Sequence, residues 1–332
     1  MLRRFECYGF APETPVAARA ELARVLRDTG RFIPEVLDSA TGTDRSETPI
    51  DLVWEHTYAH ASAYATYMCH PFHVCVLDRY LLPESPECVT EPRRGLALGL
   101  LGYETDDVTR VTDGVRRIVA LRADPAAPRA QVDAFVAGLA SEPPPGAVGS
   151  AAGPNSMGLE WYPDGWTHVW EQTFPDEASM VAALAAEAAL LDAGPVLDRV
   201  ALWYPIEAGP SPTSSPGSAP RTAVPDESAG PLTLVDVVWM AEESVDAYLD
   251  DFARLYLPGA ERRGLELTAC WRTPGGIGED VTVTTALAVG SWAAWEQVRN
   301  AAVRDPDVGE WVRRRRTLIR GGRRTFVTSP VR

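Results

Sequence analysis

Three short words occur twice in this chain in the same order, and a duplication constrains a fold more tightly than any single predicted element. Residues 2–5 read LRRF and residues 115–118 read VRRI. Residues 53–58 read VWEHTY and residues 169–174 read VWEQTF. Residues 76–79 and 196–199 both read VLDR. The offsets are 113, 116 and 120 residues, so two related repeats follow one another. A third starts on the same period at Leu232, 117 residues after Val115. It matches only in pattern, with LTLVDVVWM and TVTTALAV (282–289) as strands and SWAAWEQVRNAAV (291–303) as a helix.

Each repeat reads as strand, helix, strand, strand, helix, strand, the ferredoxin-like order. In the first, FECYGF is a strand and a helix follows with Thr14 as N-cap, Pro15 at its first position and Gly30 as its end. Val36–Ala40 and Ile50–Tyr58 are predicted strands around a polar turn. A second helix starts at Ala61 and breaks near Pro71. Residues 84–114 read as a surface crossover. Residues 208–231 hold Pro, Ser, Gly and Ala with Val224 as their one large apolar residue, a composition that cannot bury a core. The expected organisation is therefore a first unit over 1–95, a degenerate second over 96–207, a flexible linker over 208–231 and a third unit over 232–332. The fold class is α+β: tandem βαββαβ units, the first two closing a barrel-type pseudo-dimer within one chain.

Charge and composition narrow the chemistry. Acids outnumber bases 46 to 31, a formal charge of −15, which repels nucleic-acid backbones and anionic lipid. Every basic residue is Arg, which excludes a Schiff-base lysine and the lysine of a phosphate-binding P-loop. No apolar run approaches the roughly 18 residues that span a bilayer. The first residues lack a signal peptide's apolar core, and five cysteines form no C-x-x-C pair, so a reducing, cytoplasmic location is expected.

Four of the five histidines lie within eighteen residues: His56, His60, His70 and His73. Histidine titrates near neutrality, and here tyrosines interleave at Tyr58, Tyr64 and Tyr67, with Asp78 following. The second repeat keeps Val, Trp, Glu and Thr of the framework but has no His or Tyr in PDEASMVAALAAEAALLDAG. That contrast suggests one working site and one structural partner. Trp54, His56 and Tyr58 alternate onto one strand face. If that face lines a barrel, His56 is an acid–base candidate; if it faces helices, it belongs to the core. A metal site is not expected, because His56-x-x-x-His60 lacks the glutamate of the helical H-E-x-x-H pattern. The arginine-rich RRRRTLIRGGRR (313–324) reads as a solvated or anion-facing helix end, and RTPGGIGE from Arg272 as a hairpin turn.

Tyr67-Met-Cys-His70-Pro-Phe-His73, a Y-x-x-H-P-x-H segment after a strand and helix, resembles the stress-responsive dimeric α/β-barrel (Dabb) family. The resemblance covers residues 2–90, and 115–207 by duplication; the third repeat resembles the related NIPSNAP and antibiotic-biosynthesis-monooxygenase proteins. It implies two ferredoxin-like sheets packed face to face. By likeness to the family's plant polyketide cyclase, it also implies catalysis by Tyr67 and His73 with His70 in support. The cyclase carries a further histidine on its first strand, where this chain has Arg3, Arg4 and Phe5. The expected function is cofactor-independent acid–base cyclisation or isomerisation of a carbonyl-bearing small molecule. Trp54, Tyr58, Arg4 and Asp78 would contact substrate and His56 would assist. The superfamily also implies alternatives: a cofactor-free monooxygenase, a haem-binding branch and a non-catalytic binder. A homodimer through residues 232–332 is expected, because the third sheet would otherwise keep a bare face.

Overall fold

A computed structural model describes residues 1–91, 100–106, 111–156, 165–210, 232–276 and 278–328. Two compact bodies result: Met1–Ala65 with Arg93–Ala219, and Thr66–Pro92 with Pro220–Arg332. The boundary expected at 95 therefore gives way to an exchange, in which residues 66–92 group with the third repeat. Of the expected linker, only 208–210 fall among the described residues.

The first body contains β1 (Leu2–Tyr8), α1 (Val16–Arg27), α2 (Thr29–Phe32), β2 (Val36–Thr43) and β3 (Leu52–Tyr58). The chain passes to the second body within α3 (Ala61–Cys69), runs through a π-helical turn (His73–Leu77) and α4 (Asp78–Leu81), and returns for β4 (Leu100–Glu104). Sheet one has the order β4-β1-β3-β2 with β9 (Glu207–Ala208) added at its edge. Sheet two comes from β5 (Val115–Ala123), α5 (Arg129–Ser141), β6 (Gly149–Pro154), β7 (His168–Phe174), α6 (Glu177–Ala193) and β8 (Val196–Pro205), in the order β6-β7-β5-β8. Both sheets are antiparallel and ferredoxin-like.

Strand alternation sends Arg3, Phe5 and Cys7 to one face of sheet one, opposite Thr57, Glu55 and Val53. Phe5, Cys7, Val53 and Leu101 meet Ile118, Ala120, Val169 and Leu202 of sheet two in a shared core, so the sheets pack face to face. The ionic words of the repeat lie inside this layer. Arg3 donates to both oxygens of Glu171 (3.1 and 3.0 Å) and lies 3.1 Å from Glu55. Arg116 donates to both oxygens of Glu55 (3.0 and 3.3 Å) and lies 2.6 Å from Glu171. Tyr103 and Tyr204 donate to Glu171 and Glu55 at 2.8 and 2.7 Å. Arg3 also donates to Thr57, and Arg116 to Thr173. The duplicated Arg, Glu and Thr positions thus form the four corners and flanks of one closed, buried square.

The duplication extends to the helix side. Trp54 donates to Ser39, which donates to the Leu26 carbonyl; Trp170 donates to Ser150, which donates to the Leu139 carbonyl. Each indole thereby ties its sheet to the end of the helix covering it.

The VLDR match is a coincidence of letters. At 196–199 it opens β8, after Gly194-Pro195 ends a helix. At 76–79 it lies within the helical run renewed at Pro71, where a proline in a first turn is tolerated. The fourth strand of the first repeat is instead β4, inside the stretch expected as a crossover. α1 is capped by Pro15 rather than Thr14 and ends at Arg27, ahead of Gly30, because a second short helix follows.

The second body is a complete βαββαβ unit: β10 (Leu232–Met240), α7 (Val245–Asp251), α8 (Leu257–Arg262), β11 (Glu266–Thr273), β12 (Val281–Val289), α9 (Trp292–Arg304), α10 (Pro306–Leu318) and β13 (Gly321–Thr328). Its sheet order is β11-β12-β10-β13, with the glycine-rich turn joining β11 and β12 as a hairpin. Val74 and Leu82 join Leu234, Val238, Tyr248, Val298 and Trp311 in one core, which anchors residues 66–92 here.

The arginine run is solvated in part: Arg313, Arg314, Arg320 and Arg323 are exposed, while Arg315, Arg316 and Arg324 turn inward. Arg315 is buried and donates to the carbonyls of Pro83, Glu84 and Ser85 (3.0, 2.5 and 2.7 Å). Arg316 donates to the Thr90 carbonyl and Glu91. Arg324 holds both oxygens of Asp236 (2.7 and 2.6 Å) and the Glu84 carbonyl. In this segment of turns the guanidinium groups satisfy carbonyls that no helix or sheet ladder takes up. Among the described residues no helix is long and apolar enough to cross a membrane.

Candidate functional site

The Y-x-x-H-P-x-H segment turns sharply because Pro71 cannot continue the α3 ladder. His70 fills the break: its Nδ1 accepts the Phe72 N–H at 3.1 Å, while its backbone N–H donates to the Tyr67 carbonyl. The renewed helix widens into the π-helical turn at His73, a local geometry frequent at functional sites. Tyr67, at 0% exposure, and His73, at 6%, then meet edge to face with ring centroids 4.4 Å apart. Burial thus falls on a tyrosine, two histidines and, from the following helix, an acid.

Asp78 reaches the same place from α4. Its Oδ2 accepts from Arg299 of α9 at 2.7 Å and lies 3.9 Å from His73 Nδ1. The same Arg299 nitrogen lies 3.0 Å from His73 Nδ1, and its other terminal nitrogen contacts the Met68 sulfur at 3.8 Å. Burial pushes the Asp78 carboxyl above its ordinary range, against the downward pull of Arg299. Tyr67, His73, Asp78 and Arg299 therefore form one buried polar group, with His70 supporting its turn. Nearby, the Cys69 thiol donates to Glu296 at 3.2 Å. Burial raises the Cys75 thiol to about 12, which removes it as a nucleophile at neutral pH.

Arg299 is the member that sequence reasoning missed. Its signal lay in SWAAWEQVRNAAV, where Trp295, Val298 and Ala302 make the buried stripe of α9 and Arg299 is a charge on that stripe.

The remaining expected residues gather in the first body, on the helix side of sheet one. Register places Arg4 opposite His56, Glu6 opposite Trp54 and Leu2 opposite Tyr58. The His56 ring lies 4.0 Å from Trp54 and 5.2 Å from Tyr58, both edge to face. Arg4 pairs with Glu6 at 2.9 Å and stacks on Tyr64 at 4.1 Å, and Tyr8 donates to Glu6 at 2.7 Å. Trp54, His56 and Tyr58 thus face away from the layer between the two sheets, which settles the orientation left open above. The equivalent place in the second repeat carries Arg117, Gln172 and Glu187, joined by hydrogen bonds.

His60 accepts the Ala63 N–H as a helix cap, and half-buried His168 contacts Thr167. Among the described residues no group of three or more His, Cys, Asp or Glu is placed to hold a metal ion.

No family model matches the chain, and comparison with curated proteins finds no match. Among solved structures, it is similar to a NIPSNAP domain protein from Burkholderia xenovorans, at 16% identity and a TM-score of 0.27, over 30% of this chain and 94% of that one. An anthrone oxidase-like protein is similar at 13% identity and a TM-score of 0.43, covering 62% of this chain and 90% of its own. A putative monooxygenase from Lactobacillus acidophilus is similar at 11% identity and a TM-score of 0.42, over 63% and 96%.

Proposed function

We propose that the chain is a small-molecule enzyme that performs acid–base chemistry on a carbonyl-bearing compound at Tyr67 and His73. The observation that carries this reading is the single buried group of Tyr67, His73, Asp78 and Arg299. Cyclisation or isomerisation beside a carbonyl needs a proton acceptor and a donor to the developing enolate oxygen. A phenol, an imidazole and a carboxylate with a raised pKa supply those functions without an organic cofactor. The Dabb-like motif supports the same assignment of Tyr67 and His73. In this reading Trp54, His56, Tyr58 and Arg4 form a separate polar cluster whose part in substrate contact is tested by their own alanine variants.

Purified full-length protein incubated with linear poly-β-ketone compounds should form cyclised products detectable by chromatography. His73→Ala should lower the rate at least about 10²-fold. Wild-type turnover in that variant removes His73 from the chemistry. Oxygen uptake with an aromatic substrate, in place of cyclisation, would replace this reading by a monooxygenase.

We further propose that a second copy covers the helix-free face of the second body's sheet. In the first body the corresponding faces of two like-built sheets cover one another. In the second body that face bears Val235, Val237, Trp239 (38% exposed), Trp271 (55%) and Val327 (49%). Bare apolar faces of this kind mark interfaces, and a twofold contact closes most simply. Light scattering on full-length protein should report about twice 36.1 kDa. A monomeric mass at micromolar concentration refutes the pairing.

A further inference from the structure

Arginine has hydrogen-bond donors and no acceptor. Arg299 lies 3.0 Å from His73 Nδ1, so in this contact Nδ1 is the acceptor and carries no proton. In a neutral imidazole the proton then resides on Nε2. The opposite assignment, Nδ1 protonated, would bring two donors together inside a buried cluster. Arg299 itself is held in place by Asp78, at 2.7 Å on the same nitrogen. The chain of contacts therefore runs from a buried carboxylate through a guanidinium to an imidazole. It inverts the familiar arrangement in which a carboxylate accepts Nδ1–H and frees Nε2 as a base.

We propose that Arg299 is a positioning residue that fixes His73 as a neutral Nε2–H donor. The group His73 serves is then a hydrogen-bond acceptor: a carbonyl oxygen of the substrate, or the enolate or phenolate oxygen it becomes. This rests on the acid–base reading above and deepens it, because it gives His73 the donor's part and leaves proton removal to another group. Neutral imidazole donates to a developing oxyanion without itself being ionised, as a preorganised dipole. The site selects against substrates that present an N–H to His73, since donor would face donor.

Nitrogen-15 NMR of the full chain labelled in histidine reads the tautomer directly, without any substrate. At pH 7.5, His73, assigned by its loss in His73→Gln, should show an unprotonated Nδ1 and a protonated Nε2. Arg299→Met, with its fold verified by circular dichroism, should shift His73 toward the Nδ1–H form, and Arg299→Lys should retain the original pattern. A merely structural arginine would leave the His73 tautomer unchanged in Arg299→Met. Wild-type His73 found with Nδ1–H, or as imidazolium, overturns the proposal even if no variant folds. Absence of turnover with the predicted tautomer present would instead count against the enzymatic reading alone.

Discussion

Arg116→Met is expected to destabilise the first body by about 3–5 kcal/mol, as breaking a buried ion pair from one side does. The square of Arg3, Glu55, Arg116 and Glu171 is neutral as a whole, and all four residues are buried. Deleting one guanidinium leaves two carboxylates facing a single cation, with Tyr204 still committed to Glu55. Urea unfolding should show the loss, and a change under about 1 kcal/mol would refute this account of the square. Substituting all four positions with apolar residues of similar volume should recover most of it, because the desolvation cost disappears together with the attraction.

Acid should act on the same square. Burial alone would raise the Glu55 carboxyl, but Arg116 and Arg3 overcome it and hold the group at about 2. Glu171 is lowered by the same two guanidinium groups against its own burial. For a carboxylate with a depressed folded pKa, the stabilisation is complete above the unfolded value, about 4.3. It is then lost as pH falls toward 2. The fully apolar variant should lack this part of the acid transition.

The duplication was legible because the square is physically demanding. Each corner needs its own charge at its own register, so Arg3 with Arg116 and Glu55 with Glu171 survive as readable words. Their meaning was not legible, since a buried Arg–Glu pair and a surface one look alike in letters. VLDR failed for the opposite reason: those four residues suit both a strand edge and a helix, and the break before them decides which forms. The exchange of residues 66–92 was hidden because its partners are distant in sequence. Arg315 reaches Glu84 across 231 positions and Arg299 reaches Asp78 across 221. At the candidate site, Tyr67 and His73 were visible as a motif. Arg299, which determines what His73 can do, betrayed itself only as a charge on an apolar helix stripe.

Arg324→Met is expected to cost about 3 kcal/mol and to loosen residues 84–91, by the same one-sided removal of a buried pair. Arg324 is 1% exposed and satisfies Asp236 through two nitrogens, so its loss strands that carboxylate. The Glu84 carbonyl would keep Arg315, and Glu87 would keep Arg79 and the backbone N–H of residue 324, but the guanidinium that joins the Glu84 carbonyl to Asp236 is lost. The substitution thus removes the side-chain tie between Arg324 and the Glu84 carbonyl and leaves the backbone tie to Glu87 in place. Hydrogen exchange should show lost protection over 84–91, with the helical residues around His73 less affected. Val74 and Leu82 secure that part through the hydrophobic core, independently of the arginines. Pairing Arg324→Met with Asp236→Leu should restore stability without fully restoring protection, because the stranded charge is gone while the Arg324 guanidinium contact to the Glu84 carbonyl is still missing. Equal protection in wild type and Arg324→Met would mean that the core residues alone hold the segment, and that the guanidinium contacts follow its placement rather than cause it.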